Sequence, residues 1–162
     1  MTIRHATIAD IPVMQEIFAI ARRFMAATGN PNQWAATYPS IEQLQNDIAS
    51  GDSYVCLVNG QVVATFVLRG GQDPTYDIIY DGAWLNARPY ATIHRIASNG
   101  EVKGIFRTVL NFALQSYDNI RIDTHRDNRV MQNAIMKAGF VYCGIIHCWN
   151  GDERLAYQLT VN

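Results

Sequence analysis

Residues 91 to 124 constrain the fold most, because they read in order as strand, turn, amphipathic helix and strand. The stretches are ATIHRIAS, then NGEVKG, then IFRTVLNFALQSY, and finally NIRIDT. Ile105, Val109, Phe112 and Ala113 share one helical face, so this helix has an apolar stripe to bury. A strand that returns to its own sheet through a helix runs parallel to its predecessor, and a parallel crossover therefore sits in the middle of the chain.

The flanks read differently. SYVCLVNGQVVATFVLRG is two β-rich runs joined by Asn59-Gly60, the residue pair that best accepts positive φ at both positions of a tight hairpin turn. VYCGIIHCWNGDERLAYQLTV is a second hairpin, turning at Asn150-Gly151. Thr7, Asp10 and Pro12 open a long helix that ends near Gly29, while Ser40 and Gln43 cap a short one stopping at Gly51. DNRVMQNAIMKAGF is a helix begun near Asp127 or Asn128 and stopped at Gly139. The expected fold class is α/β: a mixed, largely antiparallel sheet with one central parallel crossover, flanked by roughly four helices. With 162 residues, 49% of them hydrophobic, residues 1–162 are expected to form a single domain with its own core.

The 13 basic and 14 acidic residues are interspersed, so no footprint for nucleic acid or an anionic membrane exists and the partner is expected to be small. Arg4, His5 and Asp10 interrupt any signal-like apolar run, which leads us to expect a cytoplasmic protein. Cys56, Cys143 and Cys148 are odd in number and lack zinc spacing, so they are expected to be reduced thiols engaged in packing.

IHRIASNGEVKGIF entering a helix, IRIDTHRDNRVMQNAIMKAGF closing on Gly139-Phe140, and QWAATYPS ahead of the second helix carry a resemblance over nearly the whole chain. In this order the motifs resemble the GNAT acyl-CoA N-acyltransferases, which implies a GNAT-like sheet and acetyl-CoA (coenzyme A) as the acyl donor. The resemblance implies that Ile96, Ala97 and Ser98 bond the pantetheine arm and that Val102, Lys103, Gly104, Ile105 and Phe106 take the pyrophosphate. A helix N-terminus suits that anion, since its first N–H groups lack internal partners and the dipole is positive there. The loop departs from the family's Gln/Arg-x-x-Gly-x-Gly/Ala pattern: Asn99 stands first, Val102 replaces a glycine, and only Gly104 matches. Main-chain donors do not require glycine if φ at Val102 is negative, and Gly100 can take the turn instead. The resemblance also assigns Asn128 and Met131 to the cofactor, Asn128 being an N-cap as well. Ile135 stands where the family often has a proton-donating tyrosine.

Acyl transfer to an amine needs a base, an oxyanion donor and a proton for the departing thiolate. His94 is the candidate base, because the free imidazole side chain, with a pKa near ~6.5, suits proton uptake at neutral pH and the strand leads to the thioester. The oxyanion donor implied by the resemblance is a main-chain N–H near Ile96. Arg121, Asp123 and His125 share one face of the next strand and could form a relay, an ammonium site or a salt-bridge cluster. Asp123 could hold the cationic amine or orient His94, and Tyr142 and Cys143 are the candidate acids, with solvent as the alternative. Trp34, Tyr38, Trp84 and Tyr90 are expected to line the acceptor pocket, core packing being the competing role. The acceptor is then an amine of a small molecule or of an exposed protein segment, and the resemblance leaves room for a homodimer. A non-catalytic acyl-CoA binding module is the alternative, and metal-assisted hydrolysis through His94, Asp123 and His125 is a third reading without ligand spacing.

Overall fold

A computed structural model describes all residues, Met1–Asn162. Strand β1 (Thr2–His5) lies antiparallel on β2 (Ser53–Val58), which forms a hairpin with β3 (Gln61–Gly70). The turn between them holds Asn59 at φ 52° and Gly60 at φ 77°, as a two-residue turn of this kind demands. β4 (Ala91–Ser98) follows, and helix α3 (Ile105–Leu114) then carries the chain to β5 (Asn119–Thr124). Helix α4 (Arg129–Lys137) precedes the closing hairpin of β6 (Val141–His147) and β7 (Glu153–Thr160). The seven strands run in the order β1-β2-β3-β4-β5-β7-β6, and β4 with β5 is the parallel pair. The central crossover and its two antiparallel flanks are thus as expected.

Helices cover both faces. α1 (Ile11–Ala27) has Pro12 in its first turn, where a missing N–H costs nothing, and it buries Met14, Ile17 and Phe18 against Val55 and Ala97 of the sheet. α2 (Ile41–Ala49) adds Leu44 to that cluster. Its N-cap is half of the expected box: Ser40 Oγ accepts from the Gln43 N–H at 3.1 Å, but the Gln43 side chain turns to Asp47. On the opposite face α3 and α4 contribute Val109, Leu110, Ala113 and Ile135, packed on Phe66, Ile93, Ile120 and Ile122. Each fully buried side chain of this size contributes roughly 1.5–3 kcal/mol by leaving water.

Residues 71–90 form the third packing unit. Tyr76, Trp84 and Tyr90 close over Ile146 and Ala156, covering the end of the sheet that α1 and α2 leave bare. The Arg121 guanidinium lies between Trp84 and Tyr90, 4.2 and 4.1 Å from their ring centres, and donates to the Asn86 carbonyl at 2.8 Å. This segment also approaches β6 closely enough that a Cβ on Gly82 would stand 1.9 Å from the Cys143 carbonyl oxygen. A main-chain atom cannot swing aside, so Gly82→Ala should destabilise the fold by about 1–3 kcal/mol, read as a lower urea midpoint.

Candidate active site

The site grows from a parting of strands. β4 and β5 pair only at Ala91 with Ile120 and Thr92 with Arg121; beyond that point each keeps its outer neighbour alone. A register shift against β3 marks a bulge in β4, where Arg95 has φ 48°. That left-handed conformation costs a non-glycine residue about 1–2 kcal/mol. Arg95 is tethered there by Asp47 of α2, which accepts from its Nε and Nη2, both at 2.8 Å, while Tyr38 Oη lies 3.2 Å from Nη1. Asn99 directs its N–H to the Val63 carbonyl on the β3 side at 3.0 Å. Alternation along the strand therefore turns the Ser98 and Ile96 N–H groups into the gap.

The loop after β4 resolves the missing glycine. Gly100 and Gly104 take positive φ, 83° and 78°, whereas Val102 does not. The half-buried Val102 side chain packs instead against the main core, and so pins the loop to it. Ser98 Oγ accepts from the Gly100 N–H and Asn99 Oδ1 from the Glu101 N–H, both at 3.0 Å. The N–H groups of Val102 through Phe106 find no acceptor in the chain, and Lys103 is exposed beside them. Unpaired donors at a helix N-terminus make a site suited to an anion.

Polar chemistry gathers along β4 and the 71–90 segment. His94 Nε2 is 2.8 Å from Asp73 Oδ2. Asp73 Oδ1 accepts from both the Thr75 N–H, at 2.9 Å, and Thr75 Oγ1, at 2.7 Å. Burial alone would raise the Asp73 pKa, but the bonds from His94 and Thr75 outweigh it and hold the carboxyl at about 2. Asp123 forms no hydrogen bond or ion pair with His94; it accepts from Tyr76 Oη at 2.6 Å. Burial, reinforced by the Asp123 charge, raises the Tyr76 phenol well above its usual range, so the hydroxyl stays protonated and donates.

The other sequence candidates take separate places. Arg121, Asp123 and His125 form no relay or mutual salt bridge: Arg121 is held by aromatic rings, and His125 Nδ1 accepts from the Asp127 N–H at 3.0 Å. Asn128 Oδ1 caps α4 by accepting from the Met131 N–H at 3.0 Å, while its Nδ2 donates to Gln33 Oε1 at 3.0 Å. Ile135 is fully buried in the core, with Met131 at its edge. Tyr142 lies on edge strand β6, separated from the gap by β7 and β5, with its ring against Tyr157. Burial raises the Cys143 thiol, and its Sγ donates to the Val141 carbonyl. Of the four aromatics, Trp34 packs between Phe18 and Tyr38, and Tyr38 reaches Arg95. Trp84 and Tyr90 are committed to Arg121. No group of three His, Cys, Asp or Glu residues converges in a way that could hold a metal ion. A cavity of about 450 Å³ opens at the other end of β4 and β5, lined by Gly71, Pro89, Tyr117 and Asp118, away from these polar groups.

No family model and no curated protein matches the sequence. Among solved structures, an acetyltransferase of the GNAT family from Streptococcus agalactiae is 31% identical, covering 99% of this chain and 95% of that one, with a TM-score of 0.90. The chain belongs to the GNAT acetyltransferase family. Two more distant structures share the fold. The yncA protein of Salmonella typhimurium, solved with its cofactor acetyl-CoA, is 16% identical over 99% of this chain and 94% of that one, with a TM-score of 0.61. An aminoglycoside acetyltransferase, AAC(6')-Ib, solved with coenzyme A and kanamycin, is 16% identical over 98% and 94%, with a TM-score of 0.67.

In this GNAT member the polar residues that sequence reasoning missed are Asp73, Tyr76, Gln33 and the Asp47 partner of Arg95. Asp73-Pro74 does carry a local signal, since an Asp N-cap ahead of proline starts a short helical turn, and Thr75 N–H bonds to it. Nothing local ties it to His94, 21 residues away. Because the folded Asp73 pKa of about 2 lies below its usual 3.8, its stabilising contribution is complete above that usual value and disappears as pH falls toward about 2. Asp73→Asn should therefore lower stability at neutral pH and flatten its decline across that acidic window, as measured by urea unfolding at a series of pH values.

Proposed function

We propose that this GNAT member transfers an acetyl group from acetyl-CoA to a primary amine, by direct attack while donor and acceptor are bound together. The observation that carries this reading is the row of unpaired main-chain donors running from Ile96 and Ser98 in the gap to Val102–Phe106 at the start of α3. Ile96, Ala97 and Ser98 would hold the pantetheine amides in place of the absent β5 pairing. Val102, Lys103, Gly104, Ile105 and Phe106 would receive the pyrophosphate, with Asn128 and Met131 on the facing helix. Bound there, acetyl-CoA supplies an activated acyl carbon.

His94 takes the proton of the attacking amine, and the Ile96 N–H stabilises the oxyanion. The amine nitrogen gains a bond to the acyl carbon, the carbon–sulfur bond breaks, and the thiolate takes its proton from solvent, since Ile135 is buried and has no proton to give. Asp123 has Tyr76 as its hydrogen-bond partner, a state suited to attracting an ammonium group, which gives its first proton to solvent before the neutral amine attacks. The acceptor is on this reading a cationic amine, of a small molecule or of a protein, with Trp34 and Tyr38 at the outer wall.

At saturation of about 100 times Kd, acetyl-CoA should stabilise the native protein by roughly 2.7 kcal/mol, a rise in melting temperature of about 5–10 °C. No shift would overturn cofactor binding. His94→Ala should lower kcat about 100-fold or more and flatten the acidic limb of the pH–rate profile, with the acetyl-CoA shift preserved. Stabilisation by acetyl-CoA without thiol release for any amine would instead favour a binding module, a reading to which the buried Ile135 also lends weight.

A further inference from the structure

We infer that Asp73 is the positioning residue of the catalytic site: it fixes the tautomer and orientation of His94 so that Nδ1 is the atom that receives the amine proton. The inference rests on the acetyltransferase reading and names a residue and an atom that the reading leaves open.

A neutral imidazole carries one N–H and one lone pair, on different nitrogens. His94 Nε2 lies 2.8 Å from Asp73 Oδ2, and an ionised carboxylate accepts but cannot donate. Nε2 therefore holds the hydrogen and the lone pair sits on Nδ1, which has no partner in the chain. The carboxylate has little freedom to choose otherwise. Its other oxygen is taken by the N–H and Oγ1 of Thr75, and the Asp73 N–H donates to Tyr90 Oη at 2.8 Å. Tyr90 is itself pinned under Arg121, so the position of Asp73 is set by the packing of the whole 71–90 segment.

Asp123, which the sequence offered either for this task or for holding the amine, is engaged by Tyr76 Oη at 2.6 Å. The two carboxylates thus divide the work, Asp73 holding the base and Asp123 facing the acceptor. When the amine attacks, its proton passes to Nδ1 and the new imidazolium charge lies beside Asp73. The nitrogen's electron pair becomes the bond to the acyl carbon, and the carbon–sulfur electron pair departs with the thiolate. No further reactant is needed.

The decisive measurement is the ring 15N spectrum of His94, read in the full-length protein at a pH where the ring is neutral and assigned by comparison with His94→Ala. The expected result is a hydrogen held on Nε2 alone in the unaltered protein and a mixture of the two tautomers, as in a free imidazole, in Asp73→Ala. A hydrogen on Nδ1, or a population in Asp73→Ala held as fully on Nε2 as in the unaltered protein, overturns the inference whether or not the protein is an acetyltransferase. Turnover is read with the best acceptor from a panel of kanamycin, spermidine and a lysyl peptide. Asp73→Asn, which keeps the shape and some of the bonds to Thr75, should reduce kcat at least tenfold while KM for acetyl-CoA stays within about twofold. An Asp73→Asn kcat within twofold of the parent protein sinks the positioning role. If Asp73→Ala does not fold, Asp73→Asn carries the spectral test as well, with the same readings. Full turnover in His94→Ala would instead mean that the base assignment itself is wrong, a separate failure.

Discussion

Parallel strands remain hydrogen-bonded only while their spacing in the sheet holds, and β4 and β5 keep that spacing for two residue pairs. Their parting frees main-chain groups on β4 that would otherwise be consumed by the ladder. A buried unpaired N–H is costly, so such a gap is stable when it is open to water or to a ligand that replaces the missing strand. The bulge at Arg95 belongs to this parting, and the doubly hydrogen-bonded Asp47 pair offsets the cost of its left-handed backbone. Below the gap, the sheet is an ordinary two-faced core; above it, the same strands present chemistry.

The polar groups at the gap depend on a segment with little regular structure. Residues 71–90 are held by aromatic packing, by the guanidinium sandwiched between Trp84 and Tyr90, and by close backbone approaches at Gly82 and Gly144. Such a stretch can tolerate few changes in volume, because its contacts are main-chain surfaces and ring faces rather than flexible side chains. It brings Asp73 to His94 and Tyr76 to Asp123, two hydrogen bonds that connect residues 21 and 47 positions apart. Residues 71–90 thus supply the hydrogen-bond partners of His94 and Asp123, while β4 and the start of α3 carry the unpaired main-chain donors.

The loop from Ser98 to Gly104 illustrates how far local reasoning reaches. Its glycines fall at the two positions of positive φ, and Val102 occupies a negative one with its half-buried side chain against the core. A motif that looks degraded by the count of glycines still leaves the N–H groups of Val102 through Phe106 without acceptors in the chain. The same reasoning was less informative for Arg121. Strand alternation correctly placed it on the face of Asp123, yet its partners turned out to be two rings and a carbonyl from the 71–90 segment instead of a carboxylate.

Periodicity, caps and turn pairs determined the elements of this protein, because each depends on residues within a few positions of one another: Asn59-Gly60, the apolar face of α3, the Asn128 cap. The order of those elements also determined the parallel crossover, and with it the place where a helix N-terminus meets the end of a strand. What only the tertiary structure decided is which side chains meet across the gap. Asp73 rather than Asp123 faces His94, Asp47 holds the bulge, and Tyr142 lies strands away from the site. Those pairings depend on how an irregular segment packs and on where two strands cease to pair, and both are set by the sum of many weak distant contacts that no local pattern encodes.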